Sequence, residues 1–131
     1  MDLPSHTADT RHDDLLSRGD TTSAESALPD TFREWFAGRG WTPRRHQLDL
    51  AALGAEGRDA LLIAPTGGGK TLAGFLPSLI DLAARPHPGL HTLYISPLKA
   101  LTYDIALNLE RPIAGMKLPV TLETRTGDTP Q

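Results

Sequence analysis

An apolar run, Ala60-Leu61-Leu62-Ile63-Ala64, passes directly into a glycine-rich loop and then into a helical pattern. No other feature of the chain constrains the fold as much. The run shows no polar alternation, which is how a strand covered on both faces of a parallel sheet reads. After the loop, Leu72, Phe75, Leu76, Leu79, Ile80 and Ala83 recur at helical spacing and predict a helix that covers a sheet face. Pro77 falls inside that helix and is expected to kink it or break it locally. A Pro/Gly stretch over 85–89 leads to a second apolar run, Thr92-Leu93-Tyr94-Ile95. A third helical pattern follows through Leu98, Leu101, Ile105 and Leu109, with Pro112 expected to end it, and Val120 to Thr124 reads as a third strand. The order strand, helix, strand, helix, strand predicts right-handed crossovers in an α/β fold, an open parallel sheet with flanking helices.

The loop itself is Ala64-Pro65-Thr66-Gly67-Gly68-Gly69-Lys70-Thr71. Main-chain N–H groups can turn inward around an anion only where side chains do not block the approach, which explains three glycines in a row. The next helix points its partly positive end at the same place. Lys70 offers a point charge to β- and γ-phosphates, and the Thr71 hydroxyl is a hard oxygen ligand for Mg²⁺. Thr66, Gly67, Gly68, Gly69, Lys70 and Thr71 are therefore the expected phosphate cradle, with Lys70 and Thr71 carrying the catalytic share and Thr71 the metal contact. A flexible glycine turn with an incidental lysine would explain the letters alone, but not the apolar run before them and the amphipathic helix after them.

Ahead of this unit, Phe32, Trp35 and Phe36 share one face of a helix opening with a Thr31/Glu34 capping box and stopping at Gly38 and Gly40. Thr42 and Pro43 suit the N-cap and first position of a further helix that carries Gln47, Leu48 and Leu53 toward Gly54. The first thirty residues hold two basic and seven acidic side chains, a net of −5, and few large apolar ones. Such a segment cannot bury enough surface to offset its ordering entropy, so residues 1–28 read as a disordered acidic leader and 29–131 as one domain. The 131 residues as a whole carry a net charge of −3 and no cysteine. That charge excludes a general polyanion binder, and the missing thiols exclude a disulfide framework, a thiolate metal site and a cysteine nucleophile. No apolar run approaches the ~20 residues of a membrane span, and the acidic start does not suit a signal peptide, so a cytoplasmic protein is expected.

The form Ala-x-Thr-Gly-x-Gly-Lys-Thr, with Ala64 where nucleotide loops commonly begin with glycine, resembles motif I of superfamily-two helicases. Upstream, Gly40-Trp41-Thr42-Pro43-Arg44-Arg45-His46-Gln47 is similar to their Q motif, with a shorter stretch between Trp41 and Pro43 than in typical DEAD-box proteins. A glutamine amide offers a donor and an acceptor to an adenine edge, which suits ATP. Downstream, Ser96-Pro97-Leu98-Lys99 stands where motif Ia belongs, and Thr126-Gly127-Asp128 looks like the next strand-contacting motif. Amides and a hydroxyl at a helix start can hold a phosphodiester without reading bases, although ordinary turn chemistry would also account for either segment alone.

From about Leu28 to Pro130 the chain resembles the large helicase-related (Lhr-like) DNA helicases of superfamily two, and within them the ligase-associated DExH-box group. The resemblance implies a RecA-like P-loop NTPase domain in an ATP-dependent DNA translocase. It further implies 3′-to-5′ unwinding, a role in DNA repair, contacts to single-stranded or duplex DNA through phosphates, and a functional link to a DNA ligase. The family's DExH carboxylates, second lobe and arginine finger have no counterpart in these residues, so the chain is expected to be the amino-terminal part of such a domain, truncated before the DExH motif. Nucleic acid and ATP are then expected to bind weakly without turnover. The open alternatives are a DEAD-box-type RNA helicase, a P-loop kinase or transport ATPase, and a non-catalytic nucleotide-binding module.

Overall fold

The computed structural model describes residues 28–130. The expectation of a disordered leader therefore lies outside the described residues except at Leu28, which is buried in the core rather than free of it. Four helices follow in order: α1 (Asp30–Gly38), α2 (Arg45–Ala55), α3 (Lys70–Ala84) and α4 (Lys99–Gly115).

The core forms where the apolar faces of these helices meet. Phe32 and Phe36 of α1, Leu48 and Ala51 of α2, and Leu76 and Leu79 of α3 are buried together with Leu28 and Met116. Leu72, Phe75, Ile80 and Ala83 pack against this cluster, so the face expected of α3 is the face it buries. Helix α2 packs chiefly on α3, and α4 meets α3 over a smaller contact. Helices α2 and α3 approach tightly at Gly54 and Pro77, where a Cβ on Gly54 would stand 2.4 Å from the Pro77 Cβ. Trp35 and Trp41 contact each other edge to face at 5.8 Å, with the Arg39 guanidinium 4.6 Å from the Trp35 ring centre.

Several boundaries differ from expectation. Helix α1 is capped by Pro29 with no side-chain bond, so Thr31 lies inside the first turn and forms no capping box. Helix α2 begins at Arg45 rather than Pro43, because the Gln47 amide closes its start by accepting the Arg44 N–H at 2.9 Å. Pro77 leaves α3 a continuous element of 15 residues. Pro112 does not end α4, which runs on to Gly115. Its ring is buried, and that burial offsets part of the backbone bond a proline forfeits.

The largest difference concerns the sheet. Among the described residues no strand forms, and the three apolar runs expected as strands have no ladder. Leu61 and Ile63 are each 86 % exposed and Ile95 is 81 % exposed. A parallel strand is stabilised by neighbours on both edges and helices on both faces. Here the helices bury their apolar surface mainly against one another, and the runs are covered only in part: Val120 packs against the core and Tyr94 meets Phe75, while Leu61, Ile63, Leu93 and Ile95 stay exposed.

Candidate functional site

The glycine loop sits between the run 60–64 and the start of α3, and its local bonds explain its shape. The Gly68 N–H donates to the Pro65 carbonyl at 3.2 Å, closing a tight turn. Gly69 then adopts φ 72°, ψ 29°, the left-handed region, and serves as the N-cap of α3. The first bond of the helix runs from the Ala73 N–H to the Gly69 carbonyl at 3.0 Å. The amides of Lys70, Thr71 and Leu72 precede that bond and so have no partner within the helix. These donors at a positive helix end are the chemistry a phosphate requires. The Lys70 ammonium reaches back across the loop to donate to the Ala64 carbonyl at 2.6 Å. It is exposed, so it can exchange this carbonyl for another oxygen by rotating its stem.

Gln47 stands directly behind the loop. Its residue is 4 % exposed, the only buried polar residue among those described. Its Oε1 accepts from the Arg44 N–H at 2.9 Å, and its Nε2 donates to the Gly69 carbonyl at 3.3 Å. The glutamine thus joins the start of α2 to the start of α3. A Cβ on Gly69 would lie 2.7 Å from that Nε2, so both the left-handed backbone and the nearness of Gln47 require glycine there. The residues fit a nucleotide triphosphate in this respect: main-chain donors at a helix start and an exposed ammonium beside them are the chemistry its phosphates need.

Beside the loop is a cavity of about 340 Å³ lined by Lys70, Thr71, Gly74, Phe75, Thr92, Leu93 and Tyr94. The Phe75 and Tyr94 rings meet there at 5.4 Å. Its size is at the lower end of small-ligand sites. Phe75, Thr92 and Tyr94 stand in the helix and run expected from the sequence, but periodicity marks them only as packing residues.

The second group of expected residues is also brought together. The Ser96 hydroxyl accepts the Leu98 N–H at 3.4 Å just before α4, and the Thr102 hydroxyl donates to the Leu98 carbonyl at 3.3 Å. In the turn 126–129 the Thr126 N–H donates to the Thr129 hydroxyl at 2.9 Å, and the Asp128 N–H to the Thr126 hydroxyl at 3.3 Å. The Lys99 ammonium and the Asp128 carboxylate meet at 2.8 Å across the 29 residues that separate them. Neither segment announces that contact in the sequence.

A further cluster escaped sequence reasoning. At the end of α3, Asp81 accepts from Arg85 at 2.5 Å, and its other oxygen lies 2.9 Å from His91 Nε2. His91 Nδ1 is in turn 2.7 Å from the Thr92 hydroxyl. The Arg85 hydrogen bond, and after it that of His91, holds the Asp81 carboxyl below its ordinary value of 3.8. The same contact raises the Arg85 guanidinium. The cluster pins the loop 85–91 to α3 and stands beside the run that lines the cavity.

The chain is 43 % identical over 111 residues to the Lhr helicase/probable uracil glycosylase of Mycolicibacterium smegmatis, covering 75 % of this chain and 7 % of that protein. It is 36 % identical over 134 residues to the Lhr helicase/uracil glycosylase of Escherichia coli K12, covering 85 % of this chain and 9 % of that protein. With the ATP-dependent helicase Lhr-Core protein 2 of Thermococcus barophilus it shares 36 % over 117 residues, 78 % of this chain and 14 % of that protein. The chain thus spans only a small part of the length of these relatives. No solved structure matches it. Among the described residues no helix is long and apolar enough to cross a membrane. The family model for the DEAD/DEAH box helicase matches residues 44–131, from the residue that opens α2 through the phosphate loop to the turn of Asp128. The chain therefore belongs to the DEAD/DEAH box helicases, a family of RecA-like fold that uses ATP and binds nucleic acid, and it is Lhr-like within them.

Proposed function

We propose that this chain carries the ATP-binding part of an ATP-dependent DNA translocase of the Lhr type, moving 3′ to 5′ in DNA repair. The observation that supports the reading most is the junction of Gln47, Gly69 and Lys70. A buried amide, a left-handed glycine and an exposed ammonium converge on the start of one helix. In this reading the triphosphate lies against the amides of Gly67 to Thr71, and Lys70 moves from the Ala64 carbonyl to the β- and γ-phosphates. Bound ATP supplies the free energy of phosphoryl transfer. Thr71 holds Mg²⁺ together with phosphate oxygens, in keeping with the preference of Mg²⁺ for few protein ligands. Gln47 positions the loop through Gly69 and presents its remaining hydrogen-bonding capacity toward adenine. The apolar runs 60–64, 92–95 and 120–124 become strands of the RecA-like sheet when both their faces are covered. The ligase-associated branch and a link to a DNA ligase belong to this proposal, as does a cytoplasmic location.

The corner formed by Ser96 to Lys99 and Thr126 to Asp128 grips one strand of DNA by its phosphates. Binding is then independent of sequence and falls with salt. No Asp or Glu stands at the end of an apolar run in the order hydrolysis needs, so the chain alone turns over no ATP. Competition between single-stranded DNA and RNA of equal length for the chain tests the substrate class. Preferential displacement by DNA is expected, whereas stronger displacement by RNA would favour an RNA helicase of the DEAD-box type.

A further inference from the structure

Within the strand-binding reading of the Ser96–Asp128 corner, on which this inference rests, the two charged members do not do the same work. A carboxylate is a poor ligand for a phosphodiester, since both are anions. Asp128 nevertheless lies in the turn expected to touch the strand, 2.8 Å from the ammonium of Lys99. The pair joins two segments that share no other side-chain bond among the described residues. Both side chains are exposed, Lys99 to 58 % and Asp128 to 77 %, so the pair is bathed in water and weak. The Asp128 position is itself held, because its N–H is tied to the Thr126 hydroxyl and the turn is closed by Thr129.

We propose that Asp128 is an internal competitor for Lys99: it holds the ammonium at the mouth of the corner and gives it up when a backbone phosphate takes its place. The exchange trades one anion for another at the same cation. It therefore keeps the grip on that phosphate shallow and reversible. Asp128 is a positioning residue for Lys99: its carboxylate acts through the ammonium and does not itself bind a phosphate of the strand that the corner grips.

The test is the affinity of the 131-residue chain for a single-stranded DNA oligonucleotide, followed by fluorescence anisotropy over a range of salt. Asp128→Asn is expected to tighten binding about 1.5- to 5-fold, the worth of an exposed ion pair. In a Lys99→Gln background the same change should give no gain. Glu110→Gln removes an equal charge from an exposed position roughly 16 Å further along α4 and should leave binding as it is. Weaker binding by Asp128→Asn, or a gain that persists without Lys99, would overturn the inference while leaving the strand-binding reading intact. If Lys99→Gln binds as tightly as the parent chain, or if no form binds the oligonucleotide, the strand-binding reading itself fails.

Discussion

Gly69 is the point at which backbone, side chain and ligand chemistry meet. Its φ of 72° is open to alanine only at a cost of about 1–2 kcal/mol. Gly67 has a similar φ of 78° but open space where a Cβ would go, while at Gly69 a Cβ would meet Gln47 Nε2 at 2.7 Å. Gly67→Ala should therefore lower stability by about 1–2 kcal/mol from backbone strain alone. Gly69→Ala should cost more, through displacement of Gln47 and loss of its bond to the loop. Urea unfolding of the two variants checks the ranking, and equal losses would remove Gln47 from the account. The turn into α3 at the glycine triplet is legible because a left-handed backbone, seen at Gly67 and Gly69, favours residues without a Cβ and these stand consecutively. The Gln47–Gly69 bond spans 22 residues, and the Lys99–Asp128 pair spans 29, so neither leaves a local signature.

Helix α3 was readable from end to end, since Leu72 to Ala83 repeat at helical spacing and the face they define is the face packed against α2. Pro112, expected to end α4, lies within it instead. A rule about proline counts the lost N–H and the crowded carbonyl, but not what the ring gains by packing. Pro77 packs tightly opposite Gly54 of α2 without breaking α3, and the Pro112 ring is buried. At the end of α3 the Asp81–Arg85–His91 cluster adds a pH response. Arg85, and then His91, lowers the Asp81 carboxyl in the folded chain, so its contribution to stability is present above the ordinary carboxylate value of 3.8. It is lost as pH falls from there through the lowered value. The loop 85–91 should loosen over that acid range in the parent chain, while Asp81→Asn should show a flat response. Amide exchange of Leu90 to Leu93 followed against pH reads this directly, and the same acid transition in both forms would contradict it.

Taken whole, the described residues present four helices around one core and apolar runs left largely exposed, Leu61, Ile63, Leu93 and Ile95 among them. The sequence states that Leu61, Ile63, Leu93 and Ile95 are suited to burial, but it does not state which surface buries them. Apolar periodicity therefore points to a sheet, whereas α2 and α3 pack on each other and these four side chains remain exposed. Exposed apolar surface of this kind drives association. Sedimentation velocity should show self-association rising with concentration, and Ile63→Lys with Ile95→Lys should reduce it. A monomer that melts in one sharp cooperative step at every concentration would contradict that expectation. The reading of the chain as a nucleotide-binding unit nevertheless depends on the loop rather than on the sheet. Titration calorimetry of Mg·ATP into the chain, beside Lys70→Ala, is the most direct check on it. Saturable binding that weakens about 10- to 100-fold without the ammonium is the predicted result, as charge-assisted bonds to phosphate are lost. No binding by the parent chain, or equal binding by both, would contradict the account.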